Sequence, residues 1–131
     1  MTSFIDTNIL VYAFADDPKA DIAIDLLSDA IISAQVLNEF ANIQRKKLGW
    51  KWDDILDAAF QIEVLVNAIK PVTIETHKSA IDIAKRFKVA WYDALIVAAA
   101  LNAGCSALYT EDMHHGLVID GQLTITNPFL P

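Results

Sequence analysis

Short apolar runs alternate with longer helical patterns from one end of the chain to the other, and the connections between them are short. The runs "SFI", "AIIS", "SALYT" and "QLTIT" have the length and composition of buried strands. Between them lie "NILVYAF", "PKADIAIDLLSD", "AQVLNEFANIQRKKLG", "KWDDILDAAFQIEVLVN", "IETHKSAIDIAKRFK" and "WYDALIVAAALNAGC", each with the spacing or length of a helix. Pro18 suits a helix start, Asp53 and Asp54 fall in a first turn, and Gly49 and Gly104 suit helix ends. "IKPVT" reads as a short strand or extended connection, because Pro71 holds Lys70 extended. "EDMHHG" reads as a polar turn. Strands that alternate with helices over short links require a mostly parallel sheet covered on both faces, an α/β fold. In such sheets ligands bind beyond the carboxyl ends of the strands.

The totals fit that architecture. At 131 residues the chain is expected to form a single domain over 1–131. Its hydrophobic fraction of 54% suits strands buried on both faces. No apolar run reaches the roughly 20 residues of a membrane span, so no membrane partner is expected. The first strand begins by Ser3, so no cleaved leader is expected either. A lone cysteine, Cys105, leaves no internal disulfide to form, which suits a reducing, cytoplasmic setting.

The net charge of −7 argues at first sight against a nucleic-acid partner. The basic residues are clustered, however. Arg45, Lys46, Lys47 and Lys51 stand near Trp50 and Trp52, and Lys85, Arg86 and Lys88 stand near Trp91. Each cluster is expected foremost as a solvated helix end whose cations face the last carbonyls.

Four acids stand where burial favours something else. Asp6 follows the first strand. Glu39 shares a helix side with Val36 and Ile43. Asp93 opens the most apolar helix, and Asp112, with Glu111 beside it, follows "ALYT". Separately, Asp6 and Asp93 could cap helices, Glu39 could pair with Arg45 or a lysine, and Glu111 and Asp112 could be loop acids. Together they fit one cluster at one end of the sheet. Carboxylates at close range raise one another's pKa, and a divalent cation relieves them. Oxygen donors without a cysteine or histidine set select a hard ion, Mg²⁺ or Mn²⁺. Such an ion also lets an acidic protein hold a phosphodiester. His114 and His115, in the polar turn, are expected to face solvent.

The ordered segments "FIDTNILVY", "VLNEF", "YDALIVAAA" and "LYTEDMHHG" resemble the PIN-domain ribonucleases, and among them the VapC-type toxins of toxin–antitoxin pairs. The resemblance spans essentially the whole chain. It implies a three-layer α/β/α fold, Mg²⁺- or Mn²⁺-dependent hydrolysis of RNA, a homodimer and a cognate antitoxin protein. It matches Asp6, Glu39, Asp93 and Asp112 to the family's acidic quartet, as catalytic residues and metal ligands. Thr7 and Asn8 match its polar pair, and Thr110 its small hydroxyl residue, as substrate-positioning groups. Glu111 leaves open which of two adjacent acids faces the ion. Some relatives act in RNA processing or have lost activity, so a non-toxin nuclease and an inactive interaction module are the alternatives. A haloacid-dehalogenase-like phosphatase would need an acid where Asn8 stands. A response-regulator receiver would need an acid beside Asp6 and a lysine after a late strand, and "ALYTED" has none.

Overall fold

The computed structural model describes residues 2–131; Met1, the first residue of the expected domain, lies outside them. Strand β1 (Ser3–Ile5) leads through Asp6 into α1 (Thr7–Ala13), followed by α2 (Ala20–Leu27) and β2 (Ala30–Ser33). Then come α3 (Ala34–Lys46), α4 (Trp52–Leu65) and β3 (Ala68–Lys70). Helices α5 (Ile74–Phe87) and α6 (Trp91–Asn102) precede β4 (Ala107–Tyr109), β5 (Val118–Ile119) and β6 (Leu123–Thr126). The sheet order is β3-β2-β1-β4-β6-β5, with every pairing parallel except β5 with β6. The mostly parallel sheet expected from the strand–helix alternation is therefore the one formed.

Two local features differ from the sequence-based expectation. Pro18 does not begin a helix: it sits in a turn, and α2 starts at Ala20. The Asp17 carboxylate accepts the Lys19 N–H at 2.8 Å, and the Asp17 carbonyl accepts the Ala20 N–H, so Asp17 organises this turn. The segment after "EDMHHG" adds β5, a two-residue antiparallel edge strand. Two residues give no period-2 pattern to read.

The core has a simple cause. Phe4, Ile5, Ile31 and Ile32 from the central strands are buried, and α6 is buried from Ala94 through Ala100. A helix apolar on all sides has to be enclosed, and α5 and the sheet enclose this one. Gly104, at φ 74°, takes the left-handed conformation that ends α6 and returns the chain to β4. Because β1, β2 and β4 run parallel, their carboxyl ends share one edge. The chain leaves that edge at Asp6, Ser33 and Thr110.

Candidate active site

The register between β1 and β4 sets Ile5 opposite Tyr109, and the ladder continues with the Asp6 N–H donating to the Tyr109 carbonyl at 3.0 Å. The next residues on each strand, Asp6 and Thr110, are thereby brought side by side. The Thr110 hydroxyl donates to Asp6 Oδ2 at 2.9 Å, and the Thr7 N–H donates to Oδ1 at 2.7 Å. Asp6 is thus the N-cap of α1, as its position after a strand allowed, and at the same time a wall of a cleft.

Asn8, on the first turn of α1, ties the floor together. Its Nδ2 lies 3.1 Å from both Thr110 Oγ1 and Asp112 Oδ2, and its Oδ1 accepts the Glu111 N–H at 3.2 Å. Thr110 is fully buried; its Oγ1 also accepts the Asp112 N–H at 3.2 Å. One amide and one hydroxyl therefore fix the turn that carries both late acids.

Glu39 and Asp93 enter from the helices. Ser33 caps α3, its Oγ accepting the Val36 N–H, and Val36 and Phe40 of that helix turn into the core. Glu39 lies between them and lines the cleft with Ile43 and Lys47. It does not pair with Arg45, whose guanidinium donates to the Trp50 carbonyl instead. Glu39 Oε2 is buried without a hydrogen-bond partner among the described residues. Asp93 is not the cap of α6: Ala90 holds that position, and Asp93 sits in the first turn, aligned favourably with the helix dipole.

The resulting cleft has a volume of about 380 Å³, and Asp6, Thr7, Asn8, Glu39, Asp93, Glu111 and Asp112 all line it. Thr110 lies beneath Asp6. The electrostatics match this convergence. Burial pushes the Asp6 carboxyl up to about 6, against the Thr7 and Thr110 hydrogen bonds, and the charges of Asp93 and Asp112 push the same way. Burial, then the charges of Asp6 and Asp93, raise Glu39 to about 7, with the Gln35 side chain opposing. Asp93 is raised by burial and by Asp112. Glu111 behaves oppositely: its hydrogen bonds from Lys19 and Tyr12 hold it below the ordinary carboxylate range.

These residues suit a hard cation by chemistry: the donors are oxygens, they repel one another, and one buried oxygen lacks a partner. Among the described residues, no three His, Cys, Asp or Glu side chains are already gathered into a ligand set. The carboxylates share the cleft without being closed into a cage.

The match that decides the family is to the PIN domain model, which covers residues 3–116. The chain belongs to the PIN domain family. No curated protein matches it in sequence. Solved structures do match in fold. A toxin–antitoxin complex from Klebsiella pneumoniae is 19% identical, with a TM-score of 0.76 and 98% of each chain covered. DNA-bound VapBC from Salmonella typhimurium is 18% identical, with a TM-score of 0.69 and 98% of each chain covered. VapC20 of Mycobacterium tuberculosis, described as a sarcin–ricin loop cleaving toxin, is 19% identical at a TM-score of 0.67. That match covers 85% of this chain and 92% of the other.

Other residues of interest lie elsewhere. His114 and His115 are exposed, and His115 Nδ1 accepts the Asn127 N–H at 2.9 Å. Arg45, Lys46, Lys85 and Arg86 end α3 and α5, as helix-end cations should. Trp50 packs edge-on against Phe14 and Phe40, Trp52 is exposed beneath Arg45, and Trp91 meets His77. Two residues of the site escaped the sequence analysis: Tyr12, which lines the cleft, and Lys19, through its contact with Glu111; Lys47, expected only as a helix-end cation, lines the cleft as well. Tyr12 was accessible in principle, because it follows Asn8 by four residues on one helix face. Lys19 carries no such signal.

Proposed function

We propose that this chain is an Mg²⁺- or Mn²⁺-dependent endoribonuclease and the toxin of a type II toxin–antitoxin pair. The observation that carries the proposal is the convergence of Asp6, Glu39, Asp93 and Asp112 on one cleft at the carboxyl edge of a PIN-domain sheet. When bound there, Mg²⁺ or Mn²⁺ supplies an acidified water and neutralises charge on the phosphodiester. Asp6, Glu39, Asp93 and Asp112 would hold it by carboxylate oxygens. Thr7 and Thr110 fix the two oxygens of Asp6, and Asn8 orients Asp112. Thr7, Asn8 and Thr110 thereby position the substrate through the acids they align. Lys47, on the cleft rim, offers a cation to the RNA backbone. Hydrolysis by water leaves a 5′-phosphate and a 3′-hydroxyl, without the ribose 2′-hydroxyl acting as nucleophile.

The antitoxin, the homodimer and a cytoplasmic setting belong to the same proposal. The toxin–antitoxin complexes among the similar folds support the partner. Among the described residues no helix is long and apolar enough to cross a membrane.

The test is cleavage of structured RNAs by the purified protein with Mn²⁺, with Mg²⁺ and with chelator. Metal-dependent products with 5′-phosphates are expected from the parent, and none from Asp6→Asn or Asp93→Asn proteins that fold normally. Both variants cutting at the parent rate would sink the site assignment. A parent that binds no Mn²⁺ by calorimetry would instead be an interaction module. For the toxin role, induced expression should arrest growth of a host cell, and co-expression of the antitoxin should restore it.

A further inference from the structure

Glu111 and Asp112 are neighbours in sequence and line the same cleft, yet their surroundings are opposite. Both oxygens of Glu111 are committed away from the other acids. Oε1 accepts the Tyr12 hydroxyl at 2.7 Å, and Oε2 is paired with the Lys19 ammonium. Lys19 reaches this point from the turn before α2, far away in sequence. Its ammonium is seated over the rings of Tyr12 and Phe129, 4.8 and 5.2 Å from their centroids. Those two rings meet edge-to-face at 5.1 Å. Among the described residues Asp112 has no such clamp; its carboxylate accepts one bond, from Asn8 to Oδ2. Its charge is the one felt at Asp6 and Asp93.

We propose that Lys19 and Tyr12 are positioning residues that hold Glu111 out of the ion pocket, so that Asp112 alone presents its carboxylate from the β4–β5 turn. The proposal rests on the metal-dependent function given above. Four carboxylates around one divalent cation already leave excess negative charge, and a fifth would bind the ion more tightly while repelling the phosphodiester. A neutral hydroxyl and a ring-seated ammonium give Glu111 a better alternative. Glu111 in turn anchors the turn that carries Asp112.

Two measurements test this. In the metal-free protein, NMR of the lysine ammonium groups should show Lys19 protected from exchange in the parent and free in Glu111→Gln. A freely exchanging Lys19 in the parent would overturn the clamp. Calorimetric Mn²⁺ titrations then test its purpose. Tyr12→Phe changes no charge, yet it should tighten Mn²⁺ binding roughly threefold by releasing one Glu111 oxygen, and Lys19→Met should tighten it further. Placed in a Glu111→Gln background, Tyr12→Phe should have no effect, and Lys19→Arg, which keeps the cation, should retain the parent affinity. Tyr12→Phe leaving the affinity unchanged, or shifting it equally without Glu111, would overturn the proposal. A parent that binds no Mn²⁺ at all removes the function proposed above and this inference with it. Parent binding with unresponsive variants removes the inference alone.

Discussion

Two groups of acids on this molecule meet opposite fates. On the far side of the fold, Asp82 and Asp120 share Arg86, with Nε 2.9 Å from Asp82 and Nη1 2.7 Å from Asp120. All three are exposed, and Asp120 is held below its ordinary range by the guanidinium. In the cleft, Asp6, Glu39 and Asp93 are buried or half-buried, form no ion pair with a basic side chain among the described residues, and are all pushed upward. A cluster that only held the fold together would resemble the first group. Burying carboxylates beside one another opposes folding unless another charge joins them. The contrast between the groups therefore separates acids that brace a surface from acids left without a structural partner, as the proposed site requires.

The contrast breaks most visibly in catalysis. Asp6→Asn should lower metal-dependent RNA cleavage by at least about a thousandfold, the scale of losing several kcal/mol of transition-state stabilisation. Arg86→Met should leave the cleavage rate unchanged. Equal losses in the two variants would erase the distinction.

Stability against pH sharpens it. Asp6 has a raised folded-state pKa of about 6 against an ordinary 3.8. The folded state therefore holds this proton more tightly, and the contribution favours folding below the unfolded value. It is lost as pH climbs from about 3.8 to 6, a swing of roughly 3 kcal/mol. Glu39 shifts in the same direction, whereas Glu111 and Asp120, with lowered values, oppose it. Comparing parent and Asp6→Asn isolates the first effect: denaturant melts without metal should show the parent losing stability relative to the variant across that window. Mn²⁺ should reverse the loss at neutral pH in the parent only. A parent that gains stability relative to Asp6→Asn as pH rises would contradict the raised value.

Smaller effects follow from the supports of each group. Thr110→Val removes a buried hydroxyl that both donates to Asp6 and accepts from Asn8 and Asp112. It should cost about 1–3 kcal/mol in chemical denaturation and lower cleavage while leaving some activity. Arg86→Met, at an exposed and screened pair, should barely move the melting temperature. If Arg86→Met destabilises more than Thr110→Val, the surface trio is the structural keystone and the contrast is misdrawn.

Much of the candidate site was legible because each acid sat against a local pattern: Asp6 after an apolar strand, Glu39 among core-facing helix residues, Asp93 opening an all-apolar helix. The choice between Glu111 and Asp112 was not legible. On the inference above it depends on Lys19, which meets Glu111 from 92 residues away and carries no period linking it to β4. Position 6 also shows that capping and clustering were never alternatives, since a carboxylate has two oxygens and can serve the helix with one while the other meets Thr110.

The sequence by itself determined the layered α/β plan, since apolar runs and helical periodicity are local and leave few ways to bury both faces of a sheet. It also determined which acids lie at carboxyl ends of strands. Only the tertiary structure decided which of them face one another, because register between β1 and β4 and the tilt of α3 and α6 are set by side chains packed from distant segments. The same holds for the ammonium that draws Glu111 aside: an ion pair forms in space, and nothing in the order of residues records it.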